Sequence, residues 1–210
     1  MTRFETAGIV LAAGASRRMG SPKALLPTPS GLPLAAWQAS RLRAAGCHPA
    51  TVVLGSSYPT IRAALPPDLP TIHNPHWSQG RATSLQAAVA ALPDAPGWLF
   101  LPIDAIGIRL ETLQALLAAA AWNPTVPWRP LHRGQKGNLL WLPSTLAPAL
   151  ASLPPSARID DWIAPLATSL DLDDPALLRN TNTPSEYASL PSSAFAPDPV
   201  PLRQEAEKQE

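Results

Sequence analysis

The 210-residue chain has a single cysteine, Cys47, which excludes an internal disulfide and any cysteine-built metal cluster. A helix-end neighbourhood, Ala-Ala-Gly-Cys-His-Pro, marks it as a structural thiol. Charge is scarce too: Asp, Glu, Lys and Arg make up 15% of the chain, against roughly 25% in an average soluble domain. Sixteen basic residues against fifteen acidic leave a formal net charge of +1, without the basic runs of a nucleic-acid binder. No stretch approaches the ~18 uninterrupted apolar residues of a membrane span. Arg3 and Glu5 precede only a short apolar run, unlike a signal peptide. These absences predict a soluble, cytoplasmic protein with neither a nucleic-acid nor a membrane partner. The sequence also lacks internal repeats, Ser-His-Asp or Cys-His constellations, and a zinc-like spacing among His48, His73, His76 and His132.

Proline is abundant, 27 residues, and much of it falls in short connections such as Leu65-Pro-Pro-Asp-Leu-Pro70, where it stiffens turns. A chain of this length, 46% hydrophobic, supports one sizeable core. Residues 1–190 read as a single domain. From Pro191 the chain turns rich in Pro, Ser and Ala and ends in Glu205-Ala-Glu-Lys-Gln-Glu210, the composition of a flexible tail over 191–210.

Within the domain, strand and helix signals alternate. Ala7–Ala13, the Val-rich Ala50–Leu54 and Gly97–Ile103 read as strands. Leu32–Ala45, Tyr58–Leu65 and the Leu/Ala-rich Leu110–Trp122 read as helices, the first closed by Gly46. Thr83 or Ser84 is positioned to cap a further helix to about Leu92. This pattern is α/β with a largely parallel sheet. Beyond Trp122, Pro124–Leu131 and Asn138–Leu142 read as an antiparallel insert or an edge pair over the sheet. Ser144–Ala151 and Arg158–Ala167 read as short helices.

The most informative segment is Leu11-Ala-Ala-Gly-Ala-Ser-Arg-Arg-Met-Gly20, followed by Ser-Pro-Lys23. A short apolar strand opens into a turn holding Gly14, Gly20 and three cations, a design that exposes backbone N–H groups to an anion. Its spacing fits neither the Walker A loop nor the Gly-x-Gly-x-x-Gly fingerprint, so a basic surface turn remains the alternative. Ligands of open parallel sheets bind beyond the carboxyl ends of the strands. Asp104 stands there, after Trp98-Leu-Phe-Leu-Pro-Ile103, either as a magnesium ligand or as a turn residue. Asn74-Pro-His-Trp77-Ser-Gln-Gly80-Arg-Ala-Thr-Ser84 is a second polar loop leading into a helix. It suits a base, ribose or phosphate, or else serves as a helix start. Asn182 precedes a capping box, Thr183 with Glu186, and offers an amide to metal or phosphate. Gly134-Gln-Lys-Gly137-Asn138 reads as a flexible basic turn able to close over a second substrate. The acidic run Asp171–Asp174 reads as a solvated turn.

In this order, Val10-Leu-Ala-Ala-Gly14-x-Ser16-x-Arg18-Met-Gly20-x-x-Lys23, Asn74-Pro-x-Trp77-x-x-Gly80, the strand ending at Asp104 and Asn182-Thr-Pro-x-Glu186 resemble the MobA-like nucleotidyltransferase superfamily. The resemblance covers about Ala7 to Leu190. It implies a Rossmann-like three-layer α/β fold with a mostly parallel mixed sheet, of the nucleotide-diphospho-sugar transferase type. It further implies magnesium-dependent transfer of a nucleoside monophosphate from an NTP to a phosphorylated small-molecule acceptor. By the same resemblance, Leu11, Ala12, Ala13 and the Gly14–Gly20 backbone bind the nucleotide, with Arg18 and Lys23 on the triphosphate. Arg18, Lys23 and Asp104 are its catalytic set, and Asp104 and Asn182 its metal contacts. Gly80 and Ser84 line the base and ribose pocket, and Asn74 belongs to the nucleotide-binding set. Molybdopterin is the implied acceptor, with a molybdoenzyme or cofactor-insertion protein as the implied partner. Leu-Ala-Ala-Gly14 resembles the branch using CTP, whereas Asn180-x-Asn182-Thr-Pro resembles the branch using GTP; CTP is placed slightly ahead. Asp104-Ala-Ile-Gly107 departs from both, which have proline two residues after the aspartate. A sugar- or metabolite-phosphate nucleotidyltransferase and a non-catalytic nucleotide-binding protein remain alternatives.

Overall fold

The computed structural model describes residues 5–195. Its strands are β1 (Ala7–Ala12), β2 (Ala50–Leu54), β3 (Thr71–His73), β4 (Gly97–Pro102), β5 (Trp128–His132), β6 (Gln135–Lys136), β7 (Leu140–Pro143) and β8 (Thr168–Asp171). Its α-helices are α1 (Leu34–Ala45), α2 (Tyr58–Ala64), α3 (Arg81–Ala91), α4 (Leu110–Trp122), α5 (Ala147–Ala151), α6 (Ile159–Ile163) and α7 (Pro184–Ala188). The eight strands form one sheet in the order β3-β2-β1-β4-β7-β5-β6, with β8 on β5. β3, β2, β1 and β4 are mutually parallel, as are β5 and β8. β7 runs antiparallel between β4 and β5. The expected fold class is therefore the observed one: a mixed, mostly parallel sheet between helical layers.

Side-chain alternation along the strands builds the two apolar layers. Val10, Val52, Leu99, Leu101 and Trp141 face α1 and α4, meeting Leu42, Leu113 and Leu116. Ile9, Leu11, Val53, Phe100 and Leu140 face the other way, onto Leu85 and Val89 of α3 and onto Leu150, Ile159 and Ile163. A strand buried on both faces needs an unbroken apolar sequence, and β1 supplies Ala-Gly-Ile-Val-Leu-Ala. Gly8 leaves room for Cys47: a Cβ there would lie 2.8 Å from Cys47 Cβ. Gly46 ends α1 in the left-handed conformation, φ 111°, its N–H turned back to Leu42 and Arg43 carbonyls.

Several expectations need correction. Of the two alternatives after Trp122, the antiparallel insert is the observed one: β7 pairs antiparallel with β4 and β5 within the sheet, and the first strand begins at Trp128 instead of Pro124. The edge strands β3 and β8 carry too little apolar alternation to have been read as strands. The helix expected over Arg158–Ala167 is only Ile159–Ile163, stopping before Pro165. Of the expected tail, Ser192–Phe195 forms a 3₁₀ turn whose Phe195 ring lies 5.3 Å from Trp37 and 5.9 Å from Tyr187. Residues 196–210 of that tail, and 1–4 of the expected leaderless N-terminus, lie outside the described residues. Among the described residues no helix is long and apolar enough to cross a membrane.

Cys47 is buried, and burial pushes its thiol up to about 12, far from the thiolate that reacts with electrophiles. Iodoacetamide at pH 8 should leave the native protein unmodified by mass spectrometry and alkylate it fully in denaturant. Rapid native labelling would show that Cys47 is accessible.

Candidate functional site

Parallel β1 and β4 end side by side, so the loops that follow them meet. Leu11 pairs with Pro102 in the ladder, and Ile103 N–H donates to the Leu11 carbonyl at 3.0 Å. The loop after β1 turns through Ser16 (φ 51°) and Gly20 (φ 75°). Ser16 organises it: its carbonyl accepts from Met19 N–H at 2.9 Å and its Oγ from Lys23 N–H at 3.1 Å. Among the described residues, the N–H groups of Gly14, Ala15, Arg17 and Gly20 make no hydrogen bond, as an anion cradle requires.

Lys23 leaves this loop buried, its side chain 10% exposed, and its Nζ joins three distant segments. It lies 3.3 Å from Asp104 Oδ2 and donates to Asn182 Oδ1 at 2.9 Å. Asp104 is held by its own backbone. The flanking carbonyls of Ile103 and Ala105 both accept from Gln38 Nε2 of α1, at 3.3 and 3.2 Å. The Asp104 carbonyl accepts from Thr181 N–H at 2.9 Å. Asn182 is fixed from the other side by α7. Glu186 Oε2 accepts from the N–H groups of Asn182 (2.6 Å) and Thr183 (3.0 Å), completing the expected capping box. Those two backbone donors, aided by the charge of Arg18, hold the Glu186 carboxyl below its usual range.

Beside this cluster opens a cavity of about 490 Å³. Gly14, Ser16, Lys23 and Asp104 form one wall, Trp77, Gly80, Arg81 and Ser84 a second, and Asn138 and Asn180 a third. Gly55 fixes the Trp77 wall: a Cβ there would fall 2.5 Å from Trp77 Cβ and 2.8 Å from the Ala13 carbonyl. Gly80 adopts φ 147° where a Cβ would fall 2.2 Å from the Pro155 carbonyl. Only glycine fits that passage from loop into α3.

The sequence-predicted residues divide accordingly. Lys23, Asp104 and Asn182 converge, and Leu11, Ala13, Gly14, Gly80 and Ser84 line the cavity. Ala12 is buried with its strand, while Gly20 and Arg18 are exposed on the turn and do not line the cavity. Asn74 is a correction. It is 1% exposed, and its amide is spent on Thr83 Oγ1, Ser84 Oγ and His76 N–H, so it positions Ser84 instead of facing a ligand. Thr83 and Ser84 do not cap α3, which begins at Arg81 after Gly80; Thr83 Oγ1 donates back to the Gly80 carbonyl at 2.8 Å.

The turn at Gly134 is tied down: Arg133 and Gly134 N–H donate to the two Asp171 oxygens at 3.0 and 3.1 Å. Nor is the acidic run merely solvated. Asp174 is 1% exposed and accepts from Arg109 N–H, Thr112 Oγ1 and Ala176 N–H. Sequence reasoning missed Gln38 and Thr181. A glutamine inside the apolar stretch Ala35-Ala-Trp-Gln-Ala39 was the available signal for the first.

Asp104 and Asn182 offer a carboxylate and an amide oxygen to one point, a hard-oxygen pair that fits magnesium. Among the described residues no group of three or more His, Cys, Asp or Glu converges on a metal position. An ion here would draw the rest of its shell from phosphate and water.

Residues 8–171 match the MobA-like NTP transferase domain. The chain is 34% identical over 120 residues, 56% of its length and 57% of the relative's, to a probable molybdenum cofactor guanylyltransferase of Rhodopirellula baltica. A protein of that same description from Synechococcus elongatus is 32% identical over 196 residues, 88% of this chain and 97% of the relative. The nicotine blue oxidoreductase of Paenarthrobacter nicotinovorans is 33% identical over 156 residues, 69% of this chain and 74% of the relative. Among solved structures, Rv0371c of Mycobacterium tuberculosis superimposes with a TM-score of 0.74 at 27% identity, covering 90% of this chain and 97% of that one. Molybdopterin-guanine dinucleotide biosynthesis protein A of Archaeoglobus fulgidus shares the fold, with a TM-score of 0.68 at 17% identity over 87% of this chain and 95% of that one.

Gly80→Ala should cost about 1–3 kcal/mol in urea denaturation, from the strained φ and the clash with Pro155. A denaturation midpoint equal to that of the parent would show that the loop relaxes freely.

Proposed function

Since the chain belongs to the MobA-like NTP transferase family, we propose that it transfers a nucleoside monophosphate from an NTP to a phosphorylated acceptor of the molybdopterin type, releasing pyrophosphate. The observation that carries this reading is the Lys23 Nζ shared by Asp104 and Asn182 at the wall of a nucleotide-sized cavity. A cation, a carboxylate and an amide oxygen meet there beside free loop N–H groups, the set that a triphosphate with its counter-ion requires. Leu-Ala-Ala-Gly14 favours CTP, but the relative matched over 97% of its own length is described as a guanylyltransferase. On that ground GTP is the proposed donor and CTP the alternative. The same relatives support molybdopterin as acceptor.

The chemistry asks for little beyond alignment and neutralisation. An acceptor phosphate oxygen, already ionised at neutral pH, attacks the α-phosphorus in line with the leaving group. The new bond joins that oxygen to the α-phosphorus. The bond to the bridging α–β oxygen breaks, and pyrophosphate departs with the electron pair. No proton is abstracted, so no general base is needed. The Gly14–Gly20 N–H groups and Lys23 bind the triphosphate, and Arg18 approaches it from the rim of the turn. Trp77, Gly80 and Ser84 bound the base and ribose, with Asn74 orienting Ser84. Asp104 and Asn182 would hold magnesium, which when bound would offset charge on the phosphates.

A second reading has one observation behind it, the similarity to nicotine blue oxidoreductase across 74% of that protein. On this reading the cleft serves a redox reaction instead.

Pyrophosphate release should be measured with magnesium and each of GTP, CTP, ATP and UTP, with and without molybdopterin. Release with GTP only when molybdopterin is present is the expected result. Release with CTP would move the donor assignment; in a parallel assay with nicotine blue and a nicotinamide hydride donor, reduction of the dye at the expense of that donor, without pyrophosphate release from any NTP, would favour the second reading. Asp104→Ala should lower turnover by about 10²-fold or more at unchanged thermal stability. Full magnesium-dependent turnover in that variant would sink the metal assignment.

A further inference from the structure

Lys23 puts a cation where a divalent ion would have to go. Its ammonium lies within 3.3 Å of Asp104 Oδ2 and 2.9 Å of Asn182 Oδ1, the two oxygens whose chemistry fits magnesium. The side chain is 10% exposed and its backbone is anchored by Ser16 Oγ, so the charge is held in place. A tethered cation competes with a free one at a high effective concentration. Charge repulsion between the two adds to the barrier. Lys23 and Gly14, whose N–H makes no hydrogen bond, line the same cavity, where arriving phosphates would offer the ammonium a stronger partner than a lone carboxylate and an amide.

Building on the nucleotide-transfer reading above, we propose that Lys23 is a resident counter-ion that excludes free divalent cations, so that the site accepts its metal only together with a nucleotide. Lys23 exchanges Asp104 and Asn182 for the phosphates of the incoming nucleotide. That exchange frees both oxygens for the cation the nucleotide carries. The substrate is thereby the metal–nucleotide complex, and Lys23 enforces this through occupancy as well as through phosphate binding.

The test is Mn²⁺ binding to the full-length protein, followed by the loss of the free-ion signal in electron paramagnetic resonance. It is run with and without a non-hydrolysable α,β-methylene GTP or CTP. The parent protein should bind Mn²⁺ at least about tenfold more tightly with nucleotide than without, after correction for Mn²⁺ on free nucleotide. Lys23→Met, and Lys23→Gln as a second variant, should gain nucleotide-independent Mn²⁺ binding by about tenfold or more. That gain should vanish when Asp104→Ala is added. Equal nucleotide-free binding by the parent and both variants would overturn the exclusion while leaving the metal site intact. A gain that survives Asp104→Ala would also overturn it. Failure of the parent to bind Mn²⁺ even with nucleotide would overturn the underlying reading of the site, a result separable from the other two.

Discussion

Three parts of the chain, at positions 23, 104 and 182, meet at one ammonium, and the fold can be understood as what that meeting requires. Lys23 is the charge the centre turns on. Without it, a half-buried carboxylate and an amide oxygen would face each other with no donor between them. Each of the three is supported by a different piece of architecture. Ser16 holds Lys23, the Gln38 amide and Thr181 N–H brace the backbone around Asp104, and the Glu186 carboxylate fixes Asn182. The parallel pairing of β1 with β4 brings the first two supports together, because it sends both strands out of the sheet at the same end.

Much of this arrangement was legible from residue order alone. Gly14, Gly20 and Lys23 follow an apolar run, Asp104 follows another, and Thr183 with Glu186 spells a helix start. Each is a local pattern with a local cause. What was hidden depends on contacts between segments far apart in sequence. Gln38 looks like an ordinary polar residue in a helix until Ile103 and Ala105 come to rest beneath it. Asp174 sits in an acidic run that reads as solvated, yet two loop N–H groups and a threonine hydroxyl draw it into the interior. The start of α3 was misplaced because polar side chains at Thr83 and Ser84 look like caps. The actual entry is Gly80, whose extended left-handed geometry leaves no side-chain signal.

The departure from the family pattern after Asp104 has a structural outcome. Ile106, where proline is usual, is 1% exposed and joins the core under α1, so the residue is used for packing. Gly107 then turns at φ 87° beneath Ala194, and Arg179 Nη1 donates to the Ile106 carbonyl at 3.4 Å. The segment is thus secured by core and C-terminal contacts instead of by ring rigidity, and Asp104 still reaches Lys23.

The missing side chain at Gly55 bears on how such a protein diversifies. Trp77 and the Ala13 carbonyl both close on Gly55, so the backbone at Gly55 ties the aromatic wall of the cleft to the start of the loop after β1. Ser78 and Arg81 line the cleft without that constraint, whereas Ser84 is held by Asn74. On the nucleotide-transfer reading proposed above, altered preference for one heterocycle over another has a natural route through Ser78 and Arg81. A change at Trp77 would instead reach the backbone at Gly55. The cleft thus separates into an adjustable margin and a fixed one, and the boundary between them is a single hydrogen atom on Gly55.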